Sequence, residues 1–189
     1  MIVRAPGVAA AVNDAMVGWV DITPTILDWT ETAAPVSPRL SGRSLLPVLG
    51  RTGDPARDAV FASHDFHEIN QYYPMRAIRT RTHSFILNLA HPLDYPIAGD
   101  VAGSPSWRAI TADPTIRIGG QTQAAYKKRP AEELYDLTLD PQELVNRSDD
   151  PAYSAVRTQL AERLKIMRSE TKDPWLAGQT EPYGHAAPS

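Results

Sequence analysis

No cysteine occurs anywhere in the chain. That absence excludes disulfides, thiolate metal sites and cysteine nucleophiles, and it leaves the compartment open, because oxidising and reducing compartments both hold cysteine-free proteins. No stretch approaches the ~18 consecutive apolar residues of a membrane-spanning helix, so no membrane insertion is expected. An excess of positive charge is missing too: 19 Lys and Arg face 22 Asp and Glu, a formal net charge of −3. Nucleic-acid modules neutralise phosphates with clustered basic residues, so no nucleic-acid partner is expected. None of the patterns G-x-G-x-x-G, G-x-x-x-x-G-K-S/T, H-E-x-x-H or G-x-S-x-G appears, which removes the common dinucleotide, P-loop, zinc-protease and serine-hydrolase readings.

What is present is ordinary globular material, 42% hydrophobic and 22% charged, enough to pack a core. Proline is the exception. Its 17 copies in 189 residues are about twice the usual ~5%, which predicts fixed turns and short elements. Met1 to Gly7 reads as an apolar strand ended by a Pro-Gly turn, met part-way along, so the chain is expected to open inside a larger sheet. Thr23-Pro24 fits the N-cap and first position of a helix to about Glu31. Ala33 to Arg39 reads as loop, with a short helix at Ser44 to Leu49. Strands follow at Val60–Ser63, Met75–Thr80 and Phe85–Leu89, the last two close enough for an antiparallel hairpin.

Ala90 to Pro130 shows neither helical nor strand periodicity, and so long an unstructured stretch is more often functional or partner-covering than idle. Glu133 to Leu137 reads as a strand stopped by Asp140-Pro141. Asp150 then caps a helix with Pro151 at its first position and apolar Tyr153, Val156, Leu160, Leu164 and Met167 at spacings of three and four. The fold class is α+β: a small antiparallel sheet packed by a long C-terminal helix. The tail beyond Trp175 is expected to fray.

Chemistry concentrates in Ser63-His64-Asp65-Phe66-His67-Glu68, just after a strand, where sites on scaffolds usually lie. The cluster suits zinc held by His64, His67 and a carboxylate, general acid–base work, hydrogen bonds to an anionic substrate, or a polar loop with ordinary partners. Arg76 faces away from Arg79 and Arg81 on its strand and is within reach of Glu68, where a buried pair would orient the loop. Lys127-Lys128-Arg129 is a short basic run suited to a sulfated or phosphorylated ligand or to solvent. Asp140, Glu143, Asp149 and Asp150 do not follow a calcium-loop pattern and are assigned to turns and capping.

Taken together, several stretches resemble the C-terminal part of a sulfatase, of the alkaline-phosphatase-like superfamily. Val20 to Asp28 is similar to that family's helix after the last large-sheet strands, and Gly42-Arg43-Ser44-Leu45-Leu46-Pro47 to its G-x-S-L-x-P loop. Glu133-Leu134-Tyr135-Asp136-Leu137, Asp140-Pro141-Gln142-Glu143 and Asn146 match its E-L-Y-D-L-x-x-D-P-x-E-x-x-N signature. Further likeness lies in His67-Glu68 with Tyr73-Pro74-Met75-Arg76, Asn88-Leu89, Ser104-Pro105, Glu170-Thr171 and Asp173-Pro174-Trp175.

The resemblance implies that residues 1–55 end a large α/β sulfatase domain, that 56–175 form the smaller C-terminal domain, and that 176–189 are a flexible tail. It implies hydrolysis of sulfate from a sulfated sugar, N-sulfated glucosamine or a relative, by an intact enzyme. Partners would be an N-terminal sulfatase domain and the sugar, with a homodimer also compatible. The family's cofactors, calcium and a formylglycine made from Cys or Ser in C/S-x-P-x-R, have no counterpart here, since no serine stands in that pattern. No catalytic or metal residue carries over, and the chain alone is expected to be inactive. His64, His67 and Glu68 become candidates for the sugar pocket, with Arg76 holding Glu68. A non-enzymatic sulfated-glycan-binding or oligomerisation domain is the alternative.

Overall fold

The computed structural model describes residues 1–67 and 71–177. These residues divide into two compact units, 1–61 with 79–81 and 62–78 with 82 onward. In the first, helix α1 spans Ile22–Trp29. It starts earlier than the Thr-Pro pair suggested, because a 3-10 turn at Trp19–Asp21 feeds straight into it. Pro24 therefore lies in the first helical turn, where no backbone N–H is needed. Asp21, 6% exposed, accepts from Arg43 N at 2.8 Å, Gly18 N at 3.1 Å and Arg57 Nη1 at 3.0 Å. Arg57 goes on to the carbonyls of Arg43 and Ser44 at 3.0 and 2.6 Å. The G-x-S-L-x-P loop is thus strapped to the start of α1. A Cβ at Gly42 would stand 1.9 Å from the Val20 carbonyl oxygen, so only glycine fits there.

Two expectations change in this unit. Ile2-Val3 forms no strand; Ile2 is fully exposed, and an extended segment without a neighbouring strand has no ladder to join. The helix expected at Ser44 to Leu49 contracts to a 3-10 turn at Leu46–Val48, with Pro47 in its first turn.

The sheet has four strands, β1 Ala59–Phe66, β2 Tyr72–Thr80, β3 His83–Asn88 and β4 Glu132–Asp136, in the order β1-β2-β3-β4. It is antiparallel, with Phe85 opposite Leu134 and Ile86 opposite Glu133 across β3 and β4. Alternation gives two kinds of face: Phe85 and Leu134 are apolar and buried, whereas Asn88, Glu133 and Tyr135 share a buried polar face.

Between β3 and β4 the expected structureless stretch contains three short helices, α2 Gly99–Ala102, α3 Pro105–Ala112 and α4 Gln123–Lys127. Each is too short to register as a period in sequence. Two carry readable caps: Ser104 Oγ accepts from Trp107 N, and Thr122 Oγ1 from Ala125 N, both at 3.1 Å. Edge-on ring contacts tie the excursion to the sheet, Tyr73 to Tyr95 at 5.1 Å and Tyr95 to Tyr126 at 5.7 Å.

After β4, Asp150 Oδ1 accepts from Ala152 N at 3.0 Å, capping a 3-10 turn at Pro151–Tyr153 that leads into α5, Ser154–Glu170. Helix α5 packs on β3, burying Leu160 and Leu164 as the spacing predicted. The next position on that stripe is Arg168, 8% exposed, and not Met167.

Candidate functional site

Strand β1 alternates at its end, so that His64 and Phe66 point to one face while Asp65 points to the other. His64, Phe66 and His67 line an open cleft of about 380 Å³, whose remaining wall includes Gln71 and, from the excursion, Tyr95, Ile97 and Tyr126. The His64 ring nitrogen Nδ1 lies 3.0 Å from the Tyr73 carbonyl. A carbonyl only accepts, which assigns the proton of neutral His64 to Nδ1 and leaves the Nε2 lone pair free to accept. His67 is held through its backbone, whose N–H donates to Gln71 O at 3.2 Å. Its ring is exposed. The cleft therefore offers imidazoles beside tyrosine rings, polar groups together with apolar surface.

Behind β1 sits Arg76, 4% exposed. Its Nη1 donates to Asp65 Oδ1 at 2.7 Å and to the His64 and Met75 carbonyls at 3.1 and 2.8 Å. Its other two nitrogens form a two-pronged pair with Asp173, Nε to Oδ2 at 2.9 Å and Nη2 to Oδ1 at 3.0 Å. Asp173 also accepts from Arg168 Nε at 2.7 Å and Trp175 N at 3.0 Å. Burial alone would raise its pKa, but the hydrogen bonds from Arg76, Arg168 and the Trp175 amide outweigh that and hold it down at about 2. Trp175 closes the assembly, its ring 4.9 Å from the Arg76 guanidinium carbon and its Nε1 donating to Tyr72 Oη at 2.9 Å.

On the polar face of the sheet, Asn88 Nδ2 donates to Glu133 Oε1 at 2.6 Å and to Pro130 O at 2.8 Å. The Tyr135 hydroxyl donates to the other oxygen of Glu133. Burial, and then the Glu133 carboxylate, push the Tyr135 phenol well above its usual range. Burial raises Tyr73 to about 12; its hydroxyl has no partner among the described residues.

Of the sequence-predicted residues, His64 and His67 come together at the cleft. Arg76 lies behind it, paired with Asp65 and Asp173. Glu68 lies outside the described residues, and so does most of the expected tail. Lys128 is used on the Pro92 carbonyl at 2.6 Å, and Arg129 lies 3.8 Å from Glu133 and over the Tyr95 ring. Asp140 Oδ2 accepts the Leu144 and Val145 amides, the turn role expected of it. Sequence reasoning missed Tyr95 and Tyr126 as cleft residues, since no periodicity marks the excursion. It missed Asp173 as well, 97 positions from Arg76, where no local signal connects the two. Among the described residues no three His, Asp or Glu side chains converge as metal ligands do.

No family model matches the chain. Human N-sulphoglucosamine sulphohydrolase is 34% identical to it over 178 residues, covering 87% of this chain and 34% of that protein. The chain is sulfatase-related and matches the C-terminal part of such an enzyme. An ulvan-active sulfatase of Formosa agariphila is 25% identical over 150 residues, 78% of this chain and 28% of the relative. The fold of the chain is shared with part of a structure solved in complex with its substrate, D-glucosamine-2-N,6-O-disulfate. That likeness has a TM-score of 0.54 at 20% identity and covers 85% of this chain and 25% of the other. The chain thus spans about a third of the length of the curated relatives it matches.

Proposed function

We propose that the chain supplies the sugar-recognising wall of a sulfohydrolase whose intact form releases sulfate from N-sulfoglucosamine or a related sulfated sugar. In this reading residues 1–55 end the large domain and 56–175 form the smaller one, while the nucleophile and metal belong to a part outside the chain. The observation that carries the reading is the 34% identity to human N-sulphoglucosamine sulphohydrolase along 87% of the chain. The cleft supports it chemically. Protonated or neutral, an imidazole N–H of His67 donates to a sulfate oxygen or a sugar hydroxyl, and His64 Nε2 accepts from a hydroxyl when neutral. Tyr95 and Tyr126 supply apolar ring surface for the sugar carbons. Glu68, next to His67 in sequence, is assigned a sugar hydroxyl to accept.

Proton-carbon NMR of the histidines during titration with N-sulfoglucosamine tests the binding half of the proposal. His64 and His67 signals should move with the sulfated sugar and far less with glucosamine, while His91 stays still. Identical responses to the two sugars, or none, would remove the recognition role. The hydrolase half is read from genomic DNA 5′ of the first codon: an in-frame C/S-x-P-x-R supports it. A stop codon directly upstream favours the non-enzymatic glycan-binding alternative.

A further inference from the structure

The geometry points to Asp173 as a positioning residue for the cleft, setting the place of His64 from the far end of α5 through Arg76. This rests on the sugar-binding reading of the cleft. Asp173 is 8% exposed and Arg168 beside it equally so, so the anchor is fixed by burial as well as by charge. Two parallel hydrogen bonds, 2.9 and 3.0 Å, fix the Arg76 guanidinium plane against the Asp173 carboxylate, which a two-pronged pair does with more directional control than a point charge. The remaining edge of the same plane meets the His64 carbonyl at 3.1 Å and the Asp65 carboxylate at 2.7 Å.

The backbone at 64 and 65 is thereby held on one side, and the His64 ring is held on the other by the Tyr73 carbonyl. Gripped at both ends, the imidazole has one orientation toward the cleft. Arg76 is not among the residues lining the cleft and meets His64 at its backbone carbonyl, so the effect of Asp173 on recognition reaches the imidazole through the backbone. A generic buried ion pair would stabilise the unit without singling out His64, and that difference is measurable.

Histidine NMR of the full chain without ligand reads it directly. Asp173→Asn should shift the His64 ring signals and speed exchange of its Nδ1 proton, while His91 signals stay in place. Leu164→Ala, buried on α5 and outside the network, should lower stability and leave His64 where it is. Arg76→Lys keeps a positive charge beside Asp173 but reaches only one of its two groups of partners, and it should shift His64 as Asp173→Asn does; it carries the test if the asparagine variant does not fold. The inference is overturned if folded Asp173→Asn or Arg76→Lys leaves His64 unmoved, or if Leu164→Ala moves it equally.

Titration with N-sulfoglucosamine then separates the two claims. A ligand-free His64 shift with affinity down roughly tenfold, about 1.4 kcal/mol, supports both. A His64 shift in a chain that never binds the sugar sinks the recognition reading and leaves the positioning intact.

Discussion

At the scale of single residues, Asp173 makes the sharpest claim on pH. Its carboxyl is held at about 2, below the ordinary ~3.9, so the folded state binds its proton less readily than the unfolded chain. A depressed acid stabilises the fold fully above the unfolded value and loses that contribution as pH falls from about 4 through about 2. At ~1.4 kcal/mol per unit the contribution is on the order of 2 kcal/mol. Urea midpoints measured across that window should therefore fall faster for the native chain than for Asp173→Asn, and the two curves should converge at the acid end. Parallel curves would show that Asp173 titrates normally. Tyr73 makes an opposite case: its hydroxyl is buried with no partner among the described residues. Tyr73→Phe strands no acceptor and should cost less than about 1 kcal/mol in the same assay, and it should remove the phenol that ionises near pH about 12 in an ultraviolet titration.

At the scale of elements, α5 is stabilised by its cap and its stripe. Asp150→Ala removes the acceptor for the Ala152 amide and should cost about 1 kcal/mol. Leu164→Ala, at a position 1% exposed, should cost about 2–5 kcal/mol through the cavity it leaves. Thermal melts followed by circular dichroism separate the two magnitudes. These were the parts legible in the sequence, because a cap, a proline and a three-four spacing are local instructions. The hairpin of β2 and β3 was legible for the same reason, and so was the turn at Asp140. Strand lengths were under-read: β1 reaches Phe66 and β2 begins at Tyr72, and what extends them is pairing, which no single strand records. The excursion's helices were missed because four to eight residues are too few to show a repeating apolar period. His64 and His67 stood out by type and place, whereas Asp173 was invisible as an anchor, since its meaning comes from folding 97 residues of chain back onto Arg76. Gly42 lies between these cases: the motif marked it, and the 1.9 Å approach of the Val20 carbonyl to any Cβ supplies the reason.

At the scale of the whole molecule, apolar surface decides how the chain behaves alone. Ile2 is 100% exposed, Val12 91%, Trp19 86%, and on α1 Ile26 and Trp29 are more than half exposed. Scattered exposed aliphatics are ordinary, but two tryptophans and an isoleucine exposed on one turn and the helix that follows it leave much apolar area in water, and such area gains about 25 cal/mol for each Å² removed from water. The curated relatives are about three times as long as this chain, and under the proposed function the rest of such a protein would cover that surface. The isolated chain is accordingly expected to bind a hydrophobic dye and to associate as its concentration rises, with light scattering reporting species larger than a monomer. Trp19→Ser combined with Ile26→Ser should reduce both signals while the histidine spectrum of the cleft stays unchanged, because neither residue belongs to the unit that holds it. A monodisperse monomer without dye binding would mean that the exposed tryptophans lie on a surface that needs no cover, and the reading of unit one as the edge of a larger domain would fall with it.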